Sequence, residues 1–276
     1  MKRFLIVFFL SLFSTVLLHA QSAGINQMDS KGQKQGSWEE KTATGISKGQ
    51  FVDNLKEGNW ISYGSNGNFS KLEVYIKGKR EGIYIEVDQR GYLVSEMYYK
   101  DDMLDGTAKK FFYGTNPASV IEYKAGKING KKKIYYENAA GKLTEESNFV
   151  DDVKDGASNF FSANGDPIAE YIYKNGSLEG IQKSYYQGKK LMSEQEYLHN
   201  VEKGSYKEYY ENSKVKEEGK YENGKKSGKW TEYSEDGKLK ADGMYVNDLK
   251  EGKWNEYDDA GKIVRTLKFV GGAEKQ

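Results

Sequence analysis

Residues Ser227–Gly252 read SGKWTEYSEDGKLKADGMYVNDLKEG. A short aromatic run around Trp230 and Tyr233 meets the turn signal Asp236-Gly237. A second run passes through Tyr245, and a further turn precedes Gly252. Asp-Gly between strand-like runs is a strong hairpin signal. Taken as a two-residue turn, Asp236-Gly237 sets Trp230 opposite Gly243, Gly228 opposite Tyr245 and Tyr233 opposite Lys240. The strand period of two then collects Gly228, Trp230, Leu239 and Tyr245 on one face. Tyr233 falls on the other face with Lys229, Lys240 and Asp242. In this register each large ring lies over a glycine opposite, which gives the glycines a packing role.

The same unit recurs along the chain. Its anchor glycine appears at Gly36, Gly58, Gly82, Gly106 and Gly130, and again at Gly156, Gly180, Gly204, Gly228 and Gly252. Two residues on stand all four tryptophans, Trp38, Trp60, Trp230 and Trp254. Five residues on comes a column of Tyr63, Phe111, Tyr135, Phe161, Tyr185, Tyr209, Tyr233 and Tyr257. Further turn signals stand at Asn66-Gly67, Asn164-Gly165, Asn175-Gly176 and Asn223-Gly224. The chain is therefore expected to be all-β: an elongated, single-sheet antiparallel meander or solenoid of about ten tandem hairpins of about 24 residues. One repeat has too few apolar groups to offset the entropy of ordering it, so neighbours must share the sheet.

Composition agrees. Apolar residues are 37% and charged residues 30%, too lean for a thick two-layer core. Tyr (22) and Gly (31) suit strands and turns, and there are only 2 Pro. With 0 Cys, disulfides, cysteine zinc sites and cysteine nucleophiles are excluded. Lys2 and Arg3, the apolar stretch Phe4–Leu18 and the small Ala20 have the layout of a signal peptide. Residues 1–20 are read as that peptide, 21–30 as a short linker, and 31–276 as one continuous array with a short tail. Export to the periplasm, cell surface or medium follows from that reading. Removing Lys2 and Arg3 from 42 basic residues against 41 acidic ones leaves the rest near neutral, which argues against nucleic acid.

No catalytic, cofactor or metal site is expected. Of two histidines, His19 lies in the leader; His199 stands at a second turn, where other repeats have Glu222 or Lys174. The pairs Asp101-Asp102 and Asp151-Asp152 recur at turns, where Asp is favoured for local hydrogen bonding. The column from Tyr63 to Tyr257 is the candidate binding surface. The competing explanation, favoured over it, is packing within the sheet against lysine stems.

Glu57-Gly58-Asn59-Trp60, Ser227-Gly228-Lys229-Trp230 and Glu251-Gly252-Lys253-Trp254 carry a resemblance. The pattern resembles the MORN repeat, in the bacterial variant often labelled a toxin–antitoxin antitoxin. The resemblance covers residues 30–271. It implies an elongated antiparallel sheet used for binding or scaffolding, with phospholipids and protein assemblies as ligand classes known in the family. The leading expectation is an exported, non-enzymatic scaffold that binds a protein or an envelope component. The alternatives are an antitoxin- or immunity-like partner protein and a carbohydrate- or lipid-binding module. An antitoxin acting on a cytoplasmic toxin would need no leader. At the tryptophan column the central repeats carry Ala108, Lys132, Ser158 and Gln182. Residues 106–203 are accordingly either a binding saddle or drift in a tolerant array. The short first repeat around Lys34–Gly45 and a truncated last turn are read as caps.

Overall fold

The computed structural model describes residues 24–113 and 115–275. The signal peptide read at residues 1–20 lies outside the described residues. Among them the chain forms an open antiparallel sheet of 25 strands and no α-helix; a single 3-10 turn spans Gln187–Lys189. Strands pair with their neighbours in the chain, from Lys34–Thr42 with Gly45–Val52 to Leu249–Tyr257 with Ile263–Val270. Three of the strands are two-residue pieces, such as Ser177–Leu178, split from the longer strand that follows. Each repeat thus touches only its neighbours, as in solenoids.

Within the hairpin of Lys225–Tyr233 and Leu239–Val246, Gly228 pairs with Tyr245 and Trp230 with Gly243, as the spacing predicts. The turn itself differs. Tyr233 pairs with Leu239, not Lys240, and the register shifts beside it. The Ser234 amide donates to the Lys238 carbonyl and the Gly237 amide to the Ser234 carbonyl, both at 2.8 Å. Gly237 is left-handed, at φ 84°. This is a three-residue loop with a glycine bulge, and a second bulge then leaves Lys240 unpaired. The same shift follows the tight turn of nine hairpins, from Tyr63/Phe69 to Tyr257/Ile263.

The tryptophan rings also settle differently. A Cβ on Gly243 would overlap the indole of Trp254, which comes from the following repeat. Gly219 stands likewise beneath Trp230, and Gly49 beneath Trp60. The ring therefore covers the preceding repeat's glycine rather than its hairpin partner's. The cause is the bulge between repeats: Met244 pairs with Glu251 and Asp242 with Asn255, so Gly243 faces three residues. Conformation is the role the ten anchor glycines share, since all have positive φ; Gly130 and Gly204 also lie close against Glu122 and Glu196. Gly252 has φ 70° and open space where its Cβ would be.

Each indole builds a small core within the single layer. Trp230 is 1% exposed. Tyr221 and Tyr245 meet it edge-on, with centroids 5.4 and 5.8 Å away. The Lys226 ammonium sits 3.9 Å over the ring and pairs with Glu217 at 3.3 Å. The indole N–H donates to the Lys220 carbonyl at 3.2 Å. The central repeats replace this core by small and polar groups: Ala108, Ser147, Ser158 and Gln182 are buried. Gln182 stands in for the indole by bonding the backbone, accepting from the Ile172 amide at 2.7 Å.

At the other edge of the sheet the repeats join through two-residue turns with both φ positive, such as Asn247 (52°) and Asp248 (69°). Gly271-Gly272 completes the tenth, so the last turn is whole, not truncated. The second amide of each turn donates to the preceding repeat, for example Asp248 to the Lys226 carbonyl at 3.1 Å. The acid before the anchor glycine accepts from the next turn: Glu251 from Gly271 at 2.7 Å, Glu57 from Lys77 at 2.7 Å. Acid and glycine of the Glu-Gly pair thus have separate jobs, one capping a turn and one forming a bulge. Residues 21–30, read as linker, include the strand Gln27–Met28, which pairs with Lys34 and Gln35. There the Asn26 side chain accepts from the Glu39 amide at 2.7 Å and covers the first edge.

Candidate functional site

The aromatic column lies on the face opposite the tryptophan column, because each of its residues stands three positions beyond that column on the same strand. All eight residues, Tyr63, Phe111, Tyr135, Phe161, Tyr185, Tyr209, Tyr233 and Tyr257, are half-buried. From Phe111 onward successive members are two strands apart, about 10 Å at the usual ladder spacing, while Val87 stands between Tyr63 and Phe111. They form a row of separate contacts, not a continuous aromatic platform.

The hydroxyls are engaged by carboxylates of the preceding repeat. Tyr209 donates to Glu194 at 3.0 Å, Tyr233 to Glu218 at 2.9 Å and Tyr257 to Asp242 at 2.9 Å. A lysine completes each group: Lys207 lies 3.0 Å from Glu218, Lys229 3.2 Å from Asp242 and Lys183 3.7 Å from Glu194. Burial, with the Glu194 hydrogen bond, pushes Tyr209 up to about 12. Burial and then Glu170 do the same for Tyr185. The hydrogen bond from Lys207 holds Glu218 below the usual carboxylate range, against the opposing effect of burial. The C-terminal half of the row is therefore a preorganised Tyr–carboxylate–Lys relay. The N-terminal half is not: Lys48 beside Tyr63 pairs with Glu39, and Glu96, in the repeat before Phe111, pairs with Lys109 opposite a ring that has no hydroxyl.

This face is not charged throughout. Ile61, Leu72 and Ile85 pair across three strands, and Ile83 pairs with Tyr98 beside them. They make an apolar patch in the second and third repeats. A second tyrosine column was not foreseen. Tyr136 donates to the Phe161 carbonyl, Tyr186 to the Tyr209 carbonyl and Tyr210 to the Tyr233 carbonyl, at 2.8–2.9 Å. The doublets Tyr135-Tyr136, Tyr185-Tyr186 and Tyr209-Tyr210 were its signal. Each clips one repeat to the next.

His199 occupies the first left-handed position of its turn (φ 53°), equivalent to Asn175 and Asn223 rather than Lys174 and Glu222. It lies 3.5 Å from Glu179, highly exposed. The acids of the repeating turns accept backbone amides, as Asp102 does from Arg80 at 2.8 Å and Asp152 from Ile128 at 2.7 Å. Among the described residues, no three His, Asp or Glu side chains converge into a metal-holding group.

The geometry repeats most regularly in the C-terminal half, and that is where a family match falls. Three consecutive repeats match the MORN repeat variant. The matched segments are residues 178–199, 202–223 and 226–247. Each MORN segment ends on the first residue of a repeat-joining turn, His199, Asn223 or Asn247. One MORN unit is thus one hairpin with its bulged anchor glycine. No curated protein matches the chain.

Proposed function

We propose that this chain is an exported, non-catalytic repeat scaffold that holds a partner protein or envelope component against its tyrosine-bearing face. MORN repeats are binding modules for proteins and membranes, which supports a scaffold over an enzyme. The carrying observation is the ordered row of Tyr185, Tyr209, Tyr233 and Tyr257, each set against a carboxylate of the repeat before it. Such a row offers the same polar–aromatic unit at each repeat and favours an extended partner over a small molecule. The leader-like residues 1–20 support export, and the remaining repeats are proposed to be of the same family as the three matched ones.

The test replaces Tyr185, Tyr209, Tyr233 and Tyr257 together by Phe. The rings keep their packing, while the carboxylates lose a donor. A partner captured stoichiometrically from envelope extract by the wild-type chain, and lost with the variant, supports the reading. A partner retained by the variant removes the tyrosine face from it. Recovery of the chain from the cytoplasm with residues 1–20 intact contradicts export.

A further inference from the structure

The exposed aromatic rings are not spread along the array. Among the described residues only Phe69, Tyr92, Tyr98 and Tyr113 are exposed, at 37, 47, 39 and 68%, and all four fall in the second to fourth repeats. Two of them break the columns of the repeat. Tyr92 stands just before the second strand of its hairpin, where other repeats carry Lys142, Lys190, Lys214, Lys238 and Lys262. Tyr113 stands in the next hairpin turn, where other repeats have Glu137, Glu211, Glu235 and Asp259. The fold asks for neither ring. In the ninth and tenth repeats the same two places hold Lys238 and Asp259, an ion pair at 3.7 Å.

Tyr92 and Tyr113 line one open cavity of 450 Å³ at the hairpin-turn edge, together with Val94 and Phe111. Phe69 lines an adjoining cavity of 430 Å³ that shares Asp88 and Val94 with the first. The two make a groove across three successive hairpin turns. The Arg90 guanidinium lies 5.4 Å from the Tyr92 ring and 5.0 Å from the Tyr113 ring, and pairs with Asp88 at 3.1 Å. It steadies the rings yet leaves them exposed. Among the described residues Arg90 is the one cation lining either cavity, and its charge is met within the chain. Much of the remaining lining is neutral and polar: Asn66, Asn68, Ser70 and Gln89 carry groups that both donate and accept.

A ligand for this groove must offer apolar faces to separate rings and many neutral hydrogen-bonding groups between them. The strands here are paired on both sides, as Leu72 is with Ile61 and Ile85, so a peptide finds no free edge to extend. An anionic headgroup would want a cation that is not already paired. A sugar ring fits both demands: its C–H face stacks on an aromatic ring, and its hydroxyls donate and accept around the rim. We propose that the groove across the second to fourth hairpin turns binds a neutral oligosaccharide. Tyr92, Tyr113 and Phe69 are the stacking platforms, and Asn66, Asn68 and Gln89 bond the hydroxyls. The site uses none of Tyr185, Tyr209, Tyr233 and Tyr257, so it stands or falls separately from the function proposed above.

An array of neutral and uronic-acid oligosaccharides, probed with the full chain, tests it. The wild type is expected to bind at least one neutral oligosaccharide. Tyr92→Ala and Tyr113→Ala, both changes of exposed rings, are each expected to weaken that binding about tenfold, while Tyr92→Phe keeps the ring and the binding. Tyr98→Ala, an exposed ring outside the groove, is expected to leave it unchanged, as is the joint replacement of Tyr185, Tyr209, Tyr233 and Tyr257 by Phe. A wild-type chain that binds no oligosaccharide, or acidic ones alone, overturns the inference. So does binding that survives loss of both Tyr92 and Tyr113, or falls as far with Tyr98→Ala. An oligopeptide array bound through Tyr92 and Tyr113, with the sugars left unbound, overturns it too and assigns the groove to a peptide.

Discussion

Two kinds of glycine do different work here, and single substitutions separate them. Gly243 lies beneath the Trp254 ring, where a Cβ has no room. Gly243→Ala is expected to cost about 1–3 kcal/mol in denaturant unfolding, and Trp254→Ala in the same chain to remove most of the added penalty. Gly252 has open space but φ 70°. Gly252→Ala is expected to cost about 1 kcal/mol through backbone strain, whatever stands at position 254. Tyrosine ionisation gives a second expectation. Tyr185 and Tyr209 are raised from 10.0 to about 12 in the folded chain, so unfolded chains ionise first. Their contribution is complete below pH 10 and is lost as pH climbs toward 12. Tyrosinate absorbance should rise steeply with unfolding in that window. A rise centred at the ordinary tyrosine pKa with the fold intact would show hydroxyls that are not engaged.

At the scale of the hairpin, the joining turn is held by side chains from its neighbours. Asp152 accepts the Ile128 amide at 2.7 Å, and Asn54 and Asn200 fill the same place in other repeats. Asp152→Asn is therefore expected to be near neutral, while Asp152→Ala costs about 1 kcal/mol. Faster hydrogen exchange at the Ile128 amide would localise the loss. The hairpins themselves were legible in the sequence because Asn-Gly, Asp-Gly and the aromatic columns mark strand and turn directly. The pairing of Trp230 with Gly243 followed from the same count. Counting alone could not supply the bulges, since an unpaired residue leaves no compositional mark. The slip that sends Tyr233 to Leu239 and lays the Trp254 ring over Gly243 was missed for that reason. A covariation within the sequence did encode the second point: Gly49, Gly219 and Gly243 each stand eleven residues before a tryptophan. The placement of the tyrosine row on the polar face was readable from the period of two. Its carboxylate partners were not, because they lie in the preceding repeat.

Across the whole molecule the core is uneven. Trp38, Trp60, Trp230 and Trp254 are buried toward the two ends, while the middle holds Ser147 and Ser158 at 0% exposure. The Ser158 hydroxyl has no hydrogen-bond partner among the described residues. A buried polar group without a partner costs stability, so the central repeats are expected to be the weakest part of the array. Coupling in an open sheet of this kind passes only between adjacent repeats. Native-state hydrogen exchange of the Gly243→Ala chain tests that most directly. The expected result is lost protection in the ninth and tenth repeats and their immediate neighbour, with Lys34–Phe111 unchanged. An equal loss of protection from Lys34 to Val270 would mean that the chain unfolds as one cooperative unit, and would contradict an array held by nearest neighbours.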